Sequence, residues 1–243
     1  MRGYYRIIMV HRTGCICCGK PLVYLDHPEN RECMYCHDTH MTNDVCEDGH
    51  FVCDACHQLG ADDAIEQYCI KTLEKNPVAL AITLMQNPQV NMHGPEHHFL
   101  VPAVLLAAYC NTTRELQKKG NLIRTARERA GHVIGGACGF LGDCGAAVGT
   151  GIFISLITGA TPLSHLEWQQ ANLITAKSLE TIARHGGPRC CKRNTFLALE
   201  AAVRFVHEQF SVEMPTDPAI TCIFSGMNKE CRMKDCPYYP GPD

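Results

Sequence analysis

Residues 31–57 read RECMYCHDTHMTNDVCEDGHFVCDACH and hold five cysteines and four histidines. The spacing is that of metal ligands. Cys33-x2-Cys36 and Cys53-x2-Cys56 are tight pairs whose sulfurs can face one ion, and Cys46-x3-His50 is a third pair. Upstream, Cys15-x2-Cys18 adds a fourth. Eight ligands suit two tetrahedral zinc ions, and their order along the chain predicts interleaving. Cys15 and Cys18 join Cys46 and His50; Cys33 and Cys36 join Cys53 and Cys56. All positions on both ions are then filled, so the expected role is structural, holding a segment too small to fold on burial alone. Cys17, His37, His40 and His57 are surplus ligands that can exchange into either site.

The half-motif CEDGHFVCDACH resembles the C-x-x-G-H-x-x-C-x-x-C half of RING-type cross-brace modules. Residues 1–60 are therefore expected to form a small zinc module of treble-clef or cross-brace type.

From Asp62 the pattern changes. DDAIEQYCIKTLEKN places Ile65, Tyr68, Cys69, Thr72 and Leu73 on one helical stripe. Asn76-Pro77 ends that helix and starts another. FLVPAVLLAAYC reads as a core helix that Pro102 either begins or kinks. Residues 112–130 predict an amphipathic helix interrupted at Gly120, with RELQKKGNLIRTARER as a solvated face. The glycines of residues 131–159 suggest a broken or closely packed helix pair. Ser164 with Glu167 forms a capping box that opens a helix to about Ala183, and RCCKRNTFLALEAAVRFVHEQF is the last long helix. Strand signals stay in the first third. The fold class is α+β: a zinc module, then a mainly α-helical domain over 61–243 with a cysteine-rich tail.

Hydrophobic residues make up 46% of the 243, enough for a real core. A net charge of -3 argues against nucleic acid as a partner. The longest apolar stretch, GAAVGTGIFISLITGA at 145–160, is shorter than the roughly 20 residues of a membrane span. The N-terminal MRGYYRIIMV is too short an apolar run for a signal peptide, and the seventeen cysteines are odd in number. The expected location is a reducing cytoplasm.

Three later motifs carry candidate chemistry. In MHGPEHH (92–98), Glu96 and His97 stand at a helix start, where they can bind substrate or move protons. In GGACGFLGDCGAAVG, glycines bring backbone close to Cys138 and Cys144, and Cys144 is the candidate reactive thiol. In HGGPRCCKR, a helix N-terminus and three cations are expected to lower the thiol pKa of Cys190 or Cys191.

Cys144 to Gly149, followed some forty residues on by the cysteine-basic helix start, resembles the helical redox-active family named for its C, GCAxxG, C, C pattern. This chain has CGAAVG where that family has GCAxxG. The wider order also resembles a poorly characterised prokaryotic family, found alone or fused to radical SAM proteins in anaerobes. That order runs from the N-terminal Cys/His module through HGPEHH, GDCGAA and GGPRCCKR to a terminal cysteine triplet. This resemblance implies a radical SAM protein as a partner.

The triplet is Cys222, Cys231 and Cys236, the last followed by Pro237. Cysteine-only composition and a Cys-Pro end suit a [4Fe–4S] cluster, with Cys190 or Cys191 as fourth ligand or an iron left open. A third zinc site using His207 competes with it. The expected function is sulfur-transfer or redox chemistry on a small-molecule or sulfur-carrier substrate. The alternative is a non-catalytic, zinc-stapled module serving a partner such as a radical SAM enzyme.

Overall fold

A computed structural model describes residues 15, 17, 18, 20–53, 56 and 60–241; His57 and the first fourteen residues lie outside them. β1 (Leu22–Glu32) pairs antiparallel with β2 (Thr39–Cys46), Leu22 opposite Cys46 and Glu32 opposite Thr39. The register breaks between Tyr24 and Glu29. The Cys33–Cys36 segment forms the connecting turn. The Cys33 amide donates to Asp38 O at 3.0 Å, and the His37 amide donates back to Cys33 O at 2.9 Å. Tyr24 and Met41 stay 77% and 71% exposed, so apolar burial does not hold this hairpin.

Eight helices follow among the described residues: α1 (Ala61–Lys71), α2 (Pro77–Gln86), α3 (Glu96–Thr113), α4 (Leu116–Ala130), α5 (Ala137–Phe140), α6 (Gly145–Thr158), α7 (Leu166–Arg184) and α8 (Cys191–Phe210). The fold is mixed α/β. The tail carries two short 3-10 turns, Ser225–Met227 and Met233–Asp235. Among the described residues no helix is long and apolar enough to cross a membrane.

α3 is the central helix, touching α1, α2, α4, α6 and α8. Leu100, Val104, Leu105 and Leu106 are fully buried on it, each a contribution of about 1.5–3 kcal/mol. Pro102 lies inside α3 and has no amide to offer the carbonyl of His98. α6 comes close there: a Cβ on Gly149 would sit 2.8 Å from Pro102 Cδ and 3.2 Å from His98 O. On the other side of α6, Gly151 leaves no room for a Cβ against Thr175. Glycine is what allows the near-contact of α6 with both neighbours. α2 starts as its sequence predicts: Asn76 Oδ1 accepts from the amides of Val78 and Ala79, and Pro77 takes the first turn.

Four expectations are corrected. Leu73 is 72% exposed because α1 stops at Lys71, which takes Leu73 off the buried stripe. α4 runs through Gly120 without interruption. Its basic face is not all solvated: Lys119 is 4% exposed and donates to Thr72 O (2.7 Å) and Asn111 Oδ1 (2.9 Å), capping the C-terminus of α1. Ser164 does not cap α7; its hydroxyl instead accepts from the Thr161 amide, a local turn that outcompetes the helix end.

The sheet segment packs onto α1. Tyr35 is fully buried and meets Tyr68 edge-on at 6.2 Å between ring centroids, while Asp38 pairs with Lys71 at 2.5 Å.

Candidate metal and thiol centres

Around the hairpin, two groups of side chains bring all their ligand atoms within 4.8 Å of one another. One is Cys15, Cys18, Cys46 and His50; the other is Cys33, Cys36, Cys53 and Cys56. Zinc–sulfur bonds of about 2.3 Å set tetrahedral ligands about 3.8 Å apart. Cys15 Sγ lies 3.9 Å from His50 Nδ1, Cys18 Sγ 3.3 Å from Cys46 Sγ, and Cys36 Sγ 3.9 Å from Cys53 Sγ. The donor sets therefore fit single soft or borderline metal ions.

The backbone is arranged for thiolates. Amides of Cys17, Asp48 and Cys53 point at Cys15, Cys46 and Cys33 Sγ respectively, each at 3.4 Å. Burial alone would raise the Cys33 and Cys46 thiols. Amide donors outweigh it and hold both below the ordinary cysteine range, the Cys46 thiol with help from its neighbours Cys18 and Cys15. Gly49, at φ 81°, makes the turn that lets the Cys46 amide reach His50 O.

The surplus ligands separate. His40 Nε2 stands 3.8 Å from Cys36 Sγ, and Cys36, Asp38 and His40 form a third close group. His37 instead pairs with Glu32 at 2.7 Å. Cys17 is buried against Tyr35, and burial pushes its thiol to about 12, the behaviour of a core residue.

The tail cysteines gather at the start of α8. Cys190, Cys222, Cys231 and Cys236 line one small cavity with Met92, Phe224 and Tyr238. Arg193 and Arg232 line it too. Among the described residues these four thiols are in none of the groups packed within 4.8 Å. His207 sits in the last turn of α8, seventeen residues from Cys190 and so about 25 Å away along the helix; it cannot join this site. Asn228 donates to Cys190 Sγ at 3.5 Å, and its amide oxygen faces His93 Nε2 at 3.1 Å. His93 also reaches Glu230 at 3.3 Å, so a side-chain chain runs from the surface to Cys190.

The expected low pKa of Cys190 and Cys191 is not found. Burial is the largest influence on both and raises both, Cys191 to about 11; the Arg193 charge and the helix amides beside Cys190 do not offset it. Two of the three cations are otherwise engaged. Lys192, 1% exposed, donates to Met85 O and Val90 O and lies over the Phe224 ring. Arg193 donates to Gly186 O and Pro188 O.

Cys191 lies within electrostatic reach of Cys144, Cys190 and Cys138, which push its thiol up, while the Gly94 backbone acts the other way. Cys144 is the N-cap residue of α6 and accepts from Asn194 Nδ2 at 3.4 Å. Gly145 leaves no room for a Cβ against the His98 ring. The N-termini of α3, α6 and α8 thus converge on the thiols, each presenting the positive end of its dipole.

His97 and Glu96 are neighbours in sequence with different surroundings. His97 is 1% exposed; its Nδ1 donates to Gly94 O at 3.1 Å. A carbonyl only accepts, so Nδ1 carries the proton and the buried Nε2, which has no partner among the described residues, is a bare lone pair. Burial, with the Lys192 charge beside it, holds the imidazole neutral by lowering its pKa well below the ordinary value. Glu96 folds back to accept from the Asn91 amide at 2.6 Å and lines a separate cavity with Asp62, Asp63 and Arg127. Asn194, Asn228 and Arg232 were not singled out from the sequence: single polar residues carry no spacing signal.

Residues 65–239 match the model of a family described as a family of unknown function, DUF5714. The chain belongs to this family. The DUF5714 match takes in His97, Cys144, Cys190, Cys191 and the tail triplet, and begins after both metal-ligand groups of the hairpin. No curated protein and no solved structure matches the chain.

Proposed function

We propose that this DUF5714 chain is a cytoplasmic metalloprotein of an anaerobe that performs sulfur-transfer or redox chemistry at the thiol centre beside α8. Residues 1–60 form a zinc module of treble-clef or cross-brace type, and its two zinc ions are structural. Residues 61–243 form the functional domain. Cys190, Cys222, Cys231 and Cys236 hold a [4Fe–4S] cluster. Cys144 is the reactive thiol, and His97 and Glu96 bind substrate or handle protons.

One observation carries the reading: four thiols line one cavity without crowding to the separation of single-ion ligands. A cube of irons and sulfides holds its thiolates farther apart than one zinc does, and its usual ligand is cysteine. Arg193 and Arg232 supply positive charge where such a cluster would be anionic. When bound, a cluster would supply one-electron transfer or a Lewis-acidic iron. The resemblance of CGAAVG to the C, GCAxxG, C, C family supports redox use of Cys144.

Protein prepared without oxygen should be brown, with about four irons and four sulfides per chain in addition to zinc. Cys236→Ser should lose the visible absorption and keep the zinc. Colourless wild-type protein containing zinc alone would sink the cluster.

A second reading is a non-catalytic module serving a radical SAM partner. It draws on Phe140 and Leu141, 91% and 66% exposed, beside the cavity that Cys138 and Gly142 line. Pull-down with a Phe140→Ser, Leu141→Ser double variant separates the two: this reading requires partner loss with metal content unchanged.

A further inference from the structure

Next to the tail thiols lies a second cavity of about 540 Å³, inside the range of roughly 300–1,000 Å³ that small molecules occupy. Cys138, Cys144, Arg189, Arg193 and Asn194 line it, and Gly139, Gly142, Gly186 and Gly187 leave backbone on its walls. Arg193 is the residue to explain. It is 4% exposed; among the described residues its guanidinium donates to the neutral oxygens of Gly186, Pro188 and Asn194 and makes no salt bridge. A buried cation without a counter-charge is costly unless an anion is brought to it. Arg193 lines both cavities, so one guanidinium serves the tail thiols on one side and whatever fills this space on the other.

The remaining groups agree in sign. Arg189 is exposed on the cavity wall. Glu180, the one carboxylate among the lining residues described, is held by Arg184 at 2.5 and 3.0 Å, which offsets its charge. Asn194 joins cation to thiol: its Oδ1 accepts from Arg193 Nε and its Nδ2 donates to Cys144 Sγ. Cys144 stands at the N-terminus of the fourteen-residue α6, where the dipole adds positive potential.

We propose that this cavity binds a small anionic substrate, held by Arg189 and Arg193, with its reacting atom at the Cys144 thiol. The proposal rests on the reading of Cys144 as the reactive thiol, and its test is independent of iron.

Alkylation mapped by peptide mass spectrometry reads it directly on anaerobic full-length protein. Iodoacetate is a small anionic electrophile and iodoacetamide its neutral counterpart. The iodoacetate-to-iodoacetamide rate ratio at Cys144 should exceed the ratio for glutathione measured in parallel. The iodoacetate rate should saturate, and inorganic thiosulfate or sulfate should protect. Arg189→Gln, a surface change, should cut the iodoacetate rate about tenfold, the size of one charge-assisted hydrogen bond, and leave the iodoacetamide rate alone. A Cys144 ratio no higher than that of glutathione, a variant that slows both reagents alike, or a Cys144 inert to both overturns the proposal. Iron-free protein that keeps the charge preference would sink the cluster but not this pocket; brown protein without the preference would do the reverse.

Discussion

Among the described residues between Cys15 and Cys56 the buried apolar set is seven cysteines with Tyr35, Val45 and Phe51; between Ala61 and Phe210 it is mostly leucine, isoleucine, valine, phenylalanine and alanine. The two regions fill their interiors with different materials because they differ in what they can bury. The hairpin leaves Leu22, Val23, Tyr24 and Met41 exposed and buries Val45 among its strand residues, so ligand convergence must do most of the holding. The helices surround α3 with apolar side chains and have no such need. The tail forms a third case: its cysteines are partly buried, and Cys222 and Cys236 pack against the helical core.

The largest expected effect breaks the first region alone. Cys33→Ser removes one member of a four-thiol group that could hold a metal ion; in comparable small sites metal binding is a folding energy of about 10–16 kcal/mol. Metal content should fall by one ion per chain. Limited proteolysis should then cut within 20–53 while 61–241 stays protected. Equal protection of the hairpin in wild type and variant would erase the contrast.

Leu105→Ala should do the opposite. It opens a cavity in fully buried α3 and should cost about 2–5 kcal/mol in thermal or denaturant unfolding of the helices. The metal content of the preparation should not change. A loss of zinc in this variant would mean that the regions stabilise each other more than their interiors suggest.

The smallest effect concerns acid. His97 is neutral when folded, with a pKa well below 6.5, and titrates near 6.5 when unfolded. The unfolded chain therefore takes up a proton that the folded one refuses. Stability is complete above 6.5 and falls as pH drops below it, by up to about 1.4 kcal/mol per pH unit. His97→Gln should remove that slope from helical unfolding, measured against wild type between pH 7.5 and 5. The hairpin's own acid sensitivity should persist in the variant, because protonated thiols release metal.

Much of this organisation is legible in the chain itself. Ligand spacing named the eight side chains that gather around the hairpin, since two residues between cysteines constrain both sulfurs locally. Asn76-Pro77 marked a helix start through the side chain of one residue and the fixed φ of the next. Leu73 and Ser164 were misread because the last turn of a helix depends on what lies beside it.

Short-range chemistry along the chain thus determined the pairs, the helices and the concentration of thiols near the end. Only the tertiary structure decided which cysteine meets which, since Cys190 and Cys236 lie forty-six positions apart in sequence yet share one cavity. It also decided the balance between charge and burial. The sequence around Cys190 and Cys191 promises low-pKa thiols, but desolvation depends on the whole fold and reverses the sign. Among the described residues the buried Arg193 has no partner carboxylate, a need for an anion that no local pattern expresses.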